Sequence, residues 1–283
     1  MRGLAEYAMS GRFQAATTAI LFGLLPGFSI VSGAVVALVT LRRGMRDGSQ
    51  VLLWAFLPGL LQWQLGDASM LFMLLGSLVA GGVLRQTHAW QPTAVLATLY
   101  GLLLQSSLPW QVDFLERVRT AVTGLIDQGV MVQLVQEDEV VQATPELLMQ
   151  ALLRYYGGYQ MLMLLGCLML GRYWQALLYN PGGFRDEFHN LRFDRRLMVL
   201  LLLLILAGLY GGPPFSEWLM ILCVIPLLNG LAVVHKVLAL RAGSRGTGFL
   251  VLAYLLLFVA APAYVVLGFA DSAFDFRKRL SAP

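Results

Sequence analysis

Four polar side chains near the ends of apolar segments are the first residues of this sequence that could bind a ligand: Gln62, Asp67, Gln105 and Ser106. A few amide, hydroxyl and carboxylate groups in an otherwise apolar lining can fix the orientation of a small molecule. Hydropathy places all four at the outer ends of their helices, so they predict a small polar pocket that opens outward. The alternative interpretation is that they are ordinary polar residues at a membrane interface.

A second group of candidates lies in the segment NPGGFRDEFHNLRFDRR, Asn180–Arg196. Its apolar residues recur at helical spacing, which predicts a short amphipathic helix on the cytoplasmic face. The charged residues there are candidates for an interaction surface: Arg185, Glu187, His189 and Arg192. They fit a lipid-headgroup contact, a docking helix for a cytosolic partner, a phosphate site or a simple interfacial anchor. A catalytic pair is disfavoured, because residues two apart point to different sides of a helix.

Small residues recur every four positions in the first apolar segment, at Gly11, Ala15, Ala19 and Gly23. This spacing puts them on one face of a helix, where another helix can approach closely. We call these four residues the small-residue stripe. It predicts either a docking surface for a partner membrane protein or internal packing against a helix of the same chain.

Other kinds of chemistry find no support in the sequence. It contains no phosphate-binding glycine loop and no HExxH, GxSxG or CxxC motif. The two cysteines, Cys167 and Cys223, lie within apolar runs, so we predict neither a disulfide nor a metal site. The basic excess of 20 Lys+Arg over 16 Asp+Glu is small, which disfavours nucleic-acid binding. We therefore predict a protein without cofactors that is not an enzyme.

The composition indicates which kind of structure holds these candidate residues in place. With 58% hydrophobic and 13% charged residues, the chain is expected to be an integral membrane protein, all-α and polytopic, with residues 1–283 as one domain. Pro26-Gly27 divides the first apolar segment into two helices, the alternative being one kinked span over Thr18–Thr40. We predict a bundle of eight or nine helices, over about Leu4–Leu25, Phe28–Leu41, Val51–Gln64, Ser69–Leu84, Pro92–Leu108, Pro145–Tyr173, Leu197–Gly211, Glu217–Leu240 and Gly248–Phe269.

Charge orients this bundle in the bacterial inner membrane. Most of the Lys and Arg residues fall on the side of the amino terminus and of residues 180–196, so that side is predicted to be cytoplasmic. Residues 109–144 then form an outer amphipathic segment. The carboxy-terminal DFRKRL falls on the outer side as well, unless it lies along the interface or the last apolar segment turns back near Pro262.

Several stretches resemble the YybS-like family of bacterial membrane proteins. They are the opening helix, LRRGMRDG, NPGGFRDEFHNLR, NGLAVVHK and GFADSAFDFRKRL, and they occur in this order along nearly the whole chain. The family is distantly similar to the substrate-binding S-components of energy-coupling-factor transporters and to the rod-shape protein MreD. The resemblance implies an S-component-like amino-terminal portion, in which small residues of the first helix dock a membrane partner.

Two functional hypotheses follow from these features. The first is a non-enzymatic membrane subunit that binds a small ligand and is associated with transport. The alternative is an MreD-like structural scaffold in cell-envelope assembly. Beyond the lipid bilayer, the expected contact is a membrane protein partner at helix one.

Overall fold

The computed structural model describes residues 1–129, 133–136, 139–142, 144–212, 215–241 and 246–281. These residues are almost entirely helical, which confirms the all-α prediction in its main point. The helices are α1 (Arg2–Ser10), α2 (Arg12–Leu24), α3 (Ser29–Arg43), α4 (Met45–Gln64), α5 (Ser69–Thr87), α6 (Trp90–Ser107), α7 (Val112–Asp127), α8 (Pro145–Leu153), α9 (Tyr156–Tyr179), α10 (Gly183–His189), α11 (Arg195–Tyr210), α12 (Leu219–Arg241), α13 (Gly246–Leu255), α14 (Leu257–Phe274) and α15 (Phe276–Ser281).

Short elements complete the described chain. Two 3₁₀ turns cover Leu108–Trp110 and Phe215–Trp218, before α7 and α12 respectively. An antiparallel hairpin, β1 (Gln133–Gln136) and β2 (Glu139–Gln142), pairs Gln133 with Gln142. The outer segment predicted over 109–144 therefore contains an amphipathic helix, α7, followed by this hairpin.

The first apolar segment forms separate helices on either side of Pro26-Gly27, as predicted, and the alternative of one kinked span is wrong. Gly27 takes a positive φ of 79°, a conformation that glycine adopts without the strain of a side chain. The predicted helix Leu4–Leu25 is itself divided, because Gly11 is extended between α1 and α2. Glycine is a weak helix former, so it is a natural point for this break.

Three of the described helices are long and apolar enough to cross a membrane: Ser69–Thr87, Tyr156–Tyr179 and Phe215–Leu240. A shorter apolar helix covers Val259–Phe274. These helices indicate a membrane protein, and the finer topology is taken up below as a proposal.

Helix α3 lies at the centre of the amino-terminal half and packs against α2, α4, α5 and α9. Val35 and Leu38 of α3 are fully buried. The approach of α9 is close, since a side-chain carbon on Gly171 would lie 2.9 Å from the carbonyl oxygen of Ala34. A second apolar cluster joins α9 to α6, α11 and α12, so α9 connects both halves of the core.

The carboxy-terminal segment lies elsewhere than the sequence predicts. The predicted helix Gly248–Phe269 is broken at Leu256 into α13 and α14, and α15 follows. Arg277 of α15 donates from Nη1 to the carbonyl oxygen of Leu191 at 2.6 Å, and Arg192 pairs with Asp275 at 2.7 Å. Because these contacts join the chain end to the 180–196 segment, the outer placement of DFRKRL is wrong, and the alternative in which the last apolar segment turns back is favoured.

Candidate functional site

The predicted outward pocket does not form around Gln105. This side chain is buried between α6 and the junction of α8 and α9. Its Nε2 donates to the carbonyl oxygen of Leu153 at 3.2 Å, and its Oε1 accepts from the backbone N–H of Gly157 at 2.8 Å. Ser106, the next residue, is exposed on another side of the helix. Gln105 therefore joins helices and leaves little hydrogen-bonding capacity for a ligand.

The other two pocket candidates also make contacts within the chain. Gln62 donates to the carbonyl oxygen of Gly23 at 3.3 Å, which links α4 to α2. Asp67 accepts from the backbone N–H of Ser69 at 2.8 Å and so supports the start of α5. Each of the four polar residues stays near its helix end, but the structure does not bring them together around one cavity among the described residues.

The small-residue stripe is used for internal packing. Ala15 and Ala19 are buried, and Gly23 faces Pro58 of α4 and Met70 of α5. Gly11 lies outside both neighbouring helices. In this conformation Ala15, Ala19 and Gly23 are covered by the chain's own helices, which favours internal packing, and docking of a membrane partner stays a prediction.

A different site is formed where several helices end together near residues 187–192. It is a cleft of about 860 Å³, which we call the arginine cleft. Its walls come from the ends of α3, α5 and α9, the start of α6, and α10 with the residues that follow it. The lining residues are Leu41, Arg42, Leu84, Arg85, His88, Ala89, Trp90, Gln91, Arg172, Gln175, Glu187, Asn190, Leu191 and Arg192.

Two arginines of the cleft are paired with carboxylates. Arg172 binds Glu187 through both Nε and Nη2, with Nε 3.0 Å from Oε2, and Nη1 donates to Gln175 at 2.6 Å. Arg192 pairs with Asp275 and also donates to the carbonyl oxygen of Ser272 at 3.2 Å. These pairs are close to neutral, and they fix α10 and the chain end against the bundle.

The other two arginines have no carboxylate partner among the described residues. The guanidinium of Arg42 lies 4.0 Å from the ring centroid of Tyr179, in a cation–π contact. Arg85 donates from Nη1 to the carbonyl oxygen of Leu41 at 2.6 Å. Both residues are exposed and each makes one neutral contact, so N–H groups remain that face solvent at the mouth of the cleft. The cleft therefore carries excess positive charge that suits an anion.

Of the four residues predicted to form an interaction surface on the cytoplasmic face, only two line the arginine cleft. Glu187 and Arg192 line the cleft, whereas Arg185 is exposed outside its lining. His189 is half-buried beside α12, and burial, followed by the charge of Arg185, lowers its pKa against the opposing effect of Asp186. The segment therefore contributes two of its four candidates to the site.

Three residues of the cleft, Arg42, Arg85 and Arg172, were not among the candidates predicted from the sequence. The available signal was Arg172, a charge within the otherwise apolar helix α9, since such residues usually mark function or a specific partner. In the sequence, Arg42 and Arg85 served only to orient the helix bundle in the membrane, because arginines at helix ends are common on the cytoplasmic side.

No group of three or more His, Cys, Asp or Glu side chains that could hold a metal ion occurs in the part of the chain that the structure describes. Comparison with known proteins gave no matching family model, no matching curated protein and no matching solved structure.

Proposed function

We propose that this protein is a non-enzymatic, multi-pass protein of the bacterial inner membrane that binds a small anionic ligand in the arginine cleft. It would act as a transport-associated subunit of eight or nine membrane helices, together with a membrane partner. The proposal keeps the function expected from the sequence and moves the ligand site from the outer polar residues to the cleft. The observation that carries it is the excess charge of Arg42 and Arg85.

The charge balance of the cleft supports an anionic ligand. Glu187 and Asp275 already neutralise Arg172 and Arg192. Arg42 and Arg85 come from different helices, and Arg85 bonds to the residue immediately before Arg42, so both side chains belong to the same region. A guanidinium stays charged at any physiological pH, and a ligand held by two of them gains charge-assisted hydrogen bonds.

The test measures whether anions stabilise the purified protein in detergent. Wild type would be heated with inorganic phosphate, with citrate and with matched chloride, and compared with the double variant Arg42→Gln/Arg85→Gln. Arg46→Gln is the matched control, because Arg46 is an exposed arginine nearby that does not line the cleft. We expect phosphate or citrate to raise the thermal unfolding midpoint of wild type and of the Arg46→Gln control. The midpoint of the double variant should not change. Equal responses in all three proteins would refute the proposal.

The scaffold hypothesis is the second candidate, and one observation favours it. The small-residue stripe, which the resemblance to S-components implies as a docking surface, and Gln105, a predicted pocket residue, both make contacts inside the chain. Crosslinking and mass spectrometry on native membranes separate the two candidates. Recovery of cell-envelope assembly proteins supports a scaffold, whereas recovery of transporter subunits supports the ligand-binding function.

A further inference from the structure

We propose that the arginine cleft recognises a phosphate ester that carries an apolar group. This inference rests on the proposed function and specifies its ligand. The chemistry is shared by the headgroup of an anionic phospholipid and by a soluble phosphate ester, and the experiment below distinguishes these sources.

Arg42 and Arg85, which have no carboxylate partner in the described part of the chain, are arranged in a way that favours phosphate over carboxylate. Arg42 follows α3's buried Leu41, and Arg85 approaches from α5. A carboxylate presents its two oxygens in one plane, so two guanidiniums bind it best when both approach close to that plane. A phosphate group presents its oxygens tetrahedrally, so it can accept from two guanidiniums that arrive from different directions.

Apolar residues make up another part of the same lining. Leu41, Leu84, Trp90 and Leu191 lie beside the arginines. The cleft, at about 860 Å³, is within the size range of sites for whole small molecules, roughly 300–1,000 Å³, and exceeds what one phosphate group fills. Leu41, Leu84 and Leu191 are each only 5% exposed, so Trp90 offers most of the apolar surface that the body of an anionic ligand would contact.

The cleft lies at the helix ends, and its α9 wall is polar because Arg172 and Gln175 line it. Arg172 lies about 10 Å before the end of α9 at Tyr179, at ~1.5 Å rise per residue. Trp90 and Tyr179 stand at the helix ends, where amphipathic aromatic side chains are typical of a membrane interface. A phosphate at the level of Arg42 and Arg85 would thus have the ring of Trp90 beside it at the membrane interface.

Two arms of one experiment identify the source of the phosphate. In the first, native mass spectrometry measures lipid retention by protein taken from nanodiscs of phosphatidylglycerol or of phosphatidylcholine. In the second, calorimetry in detergent measures binding of hexyl phosphate, inorganic phosphate and citrate. Both arms use wild type, the Arg42→Gln/Arg85→Gln variant and the Arg46→Gln control.

We expect at least one phosphate ester to bind wild type and control tenfold or more tighter than citrate, with a loss of tenfold or more in the double variant. Selective retention of phosphatidylglycerol identifies a lipid, and binding of hexyl phosphate alone identifies a soluble ester. If citrate binds as tightly as every ester and depends on the same arginines, the inference fails but the anion-binding function stands. If no anion depends on these arginines, both fail.

A variant that does not fold would leave these results open to a structural explanation, so lysine replacements provide a second test. Arg42→Lys/Arg85→Lys keeps both charges but removes the guanidinium forks. We expect the phosphate ester to bind it at least threefold more weakly than wild type, with an unchanged unfolding midpoint in the absence of ligand. Full affinity in the folded lysine variant would overturn the proposed mode of recognition.

Discussion

Arg277 and Asp271 form a buried ion pair near the end of the chain, with Nη2 and Nε 2.6 and 3.1 Å from the same carboxylate oxygen. The guanidinium also donates to Asn229 of α12 and to the carbonyl oxygens of His189 and Leu191. One side chain therefore connects α15, α14, α12 and the segment after α10. That segment forms part of the arginine cleft, so the chain end supports the wall of the site.

We predict that Arg277→Met destabilises the protein by about 3–5 kcal/mol, because it leaves the carboxylate of Asp271 buried without its cation. The measurement is the free energy of unfolding in mild detergent by denaturant titration. Lys278→Met is the control, since Lys278 is highly exposed next to the same site. A change of less than about 0.5 kcal/mol in Arg277→Met, the range of ordinary surface substitutions, would contradict a structural role for the pair.

A second prediction concerns Gln105, which the sequence presented as a ligand-binding residue. Gln105→Leu should lower stability by about 1–3 kcal/mol, because the N–H of Gly157 and the carbonyl oxygen of Leu153 lose their partner in a buried region. Anion binding at the arginine cleft should be unchanged. Unfolding experiments would compare it with Ser106→Ala, a change at the exposed neighbour. Equal stability of both variants, together with loss of ligand binding in Gln105→Leu, would restore the original interpretation.

The small-residue stripe gives a third prediction. Ala19 is fully buried, so Ala19→Leu should destabilise the isolated chain by about 1–3 kcal/mol through overpacking. Leu21→Ala, on an exposed part of the same helix, is expected to change stability by less than about 0.5 kcal/mol. Thermal unfolding of the purified chain checks both. A stable Ala19→Leu variant that loses a membrane partner would show that the stripe is a docking surface after all.

Local features of the fold could be predicted from the sequence, and contacts between distant residues could not. The turn at Pro26-Gly27 and the start of α8 at Pro145, capped by Thr144, follow from side-chain types at adjacent positions. Gln105, in contrast, meets a backbone group 52 positions away, and Arg277 meets one 86 positions away. Hydropathy shows that such a residue is polar near a helix end but not which carbonyl or carboxylate it will face.

The arginine cleft could not be predicted from the sequence for the same reason. Arg42 and Arg85, for which the described residues provide no carboxylate, are each explained by the preference of basic residues for the cytoplasmic side, so neither is distinctive in the sequence. They become a candidate site only because α3 and α5 end beside each other, with Leu41 accepting the hydrogen bond from Arg85. Whether a helix-end arginine is paired depends on tertiary contacts, which the order of residues does not reveal.

The last prediction concerns pH and His189, which lies outside the apolar spans at the end of α10. Burial lowers the pKa of this imidazole below its ordinary 6.5, and the charge of Arg185 lowers it further, with Asp186 opposing and Lys236 adding to the decrease. The unfolded chain therefore takes up a proton at a higher pH than the folded protein does. The contribution of His189 to stability is complete above about pH 6.5 and is lost as the pH falls from there toward the folded pKa.

We accordingly expect the unfolding midpoint of wild type to fall more between about pH 7.5 and about pH 5.5 than that of His189→Gln, which cannot take up this proton. Thermal unfolding in one detergent, at constant ionic strength, provides the comparison. The variant removes the titration of His189 together with the charge that this residue can place beside the neighbouring His235. A steeper pH dependence in the variant than in wild type would mean that folding raises the pKa of His189, contrary to its burial beside two cationic residues.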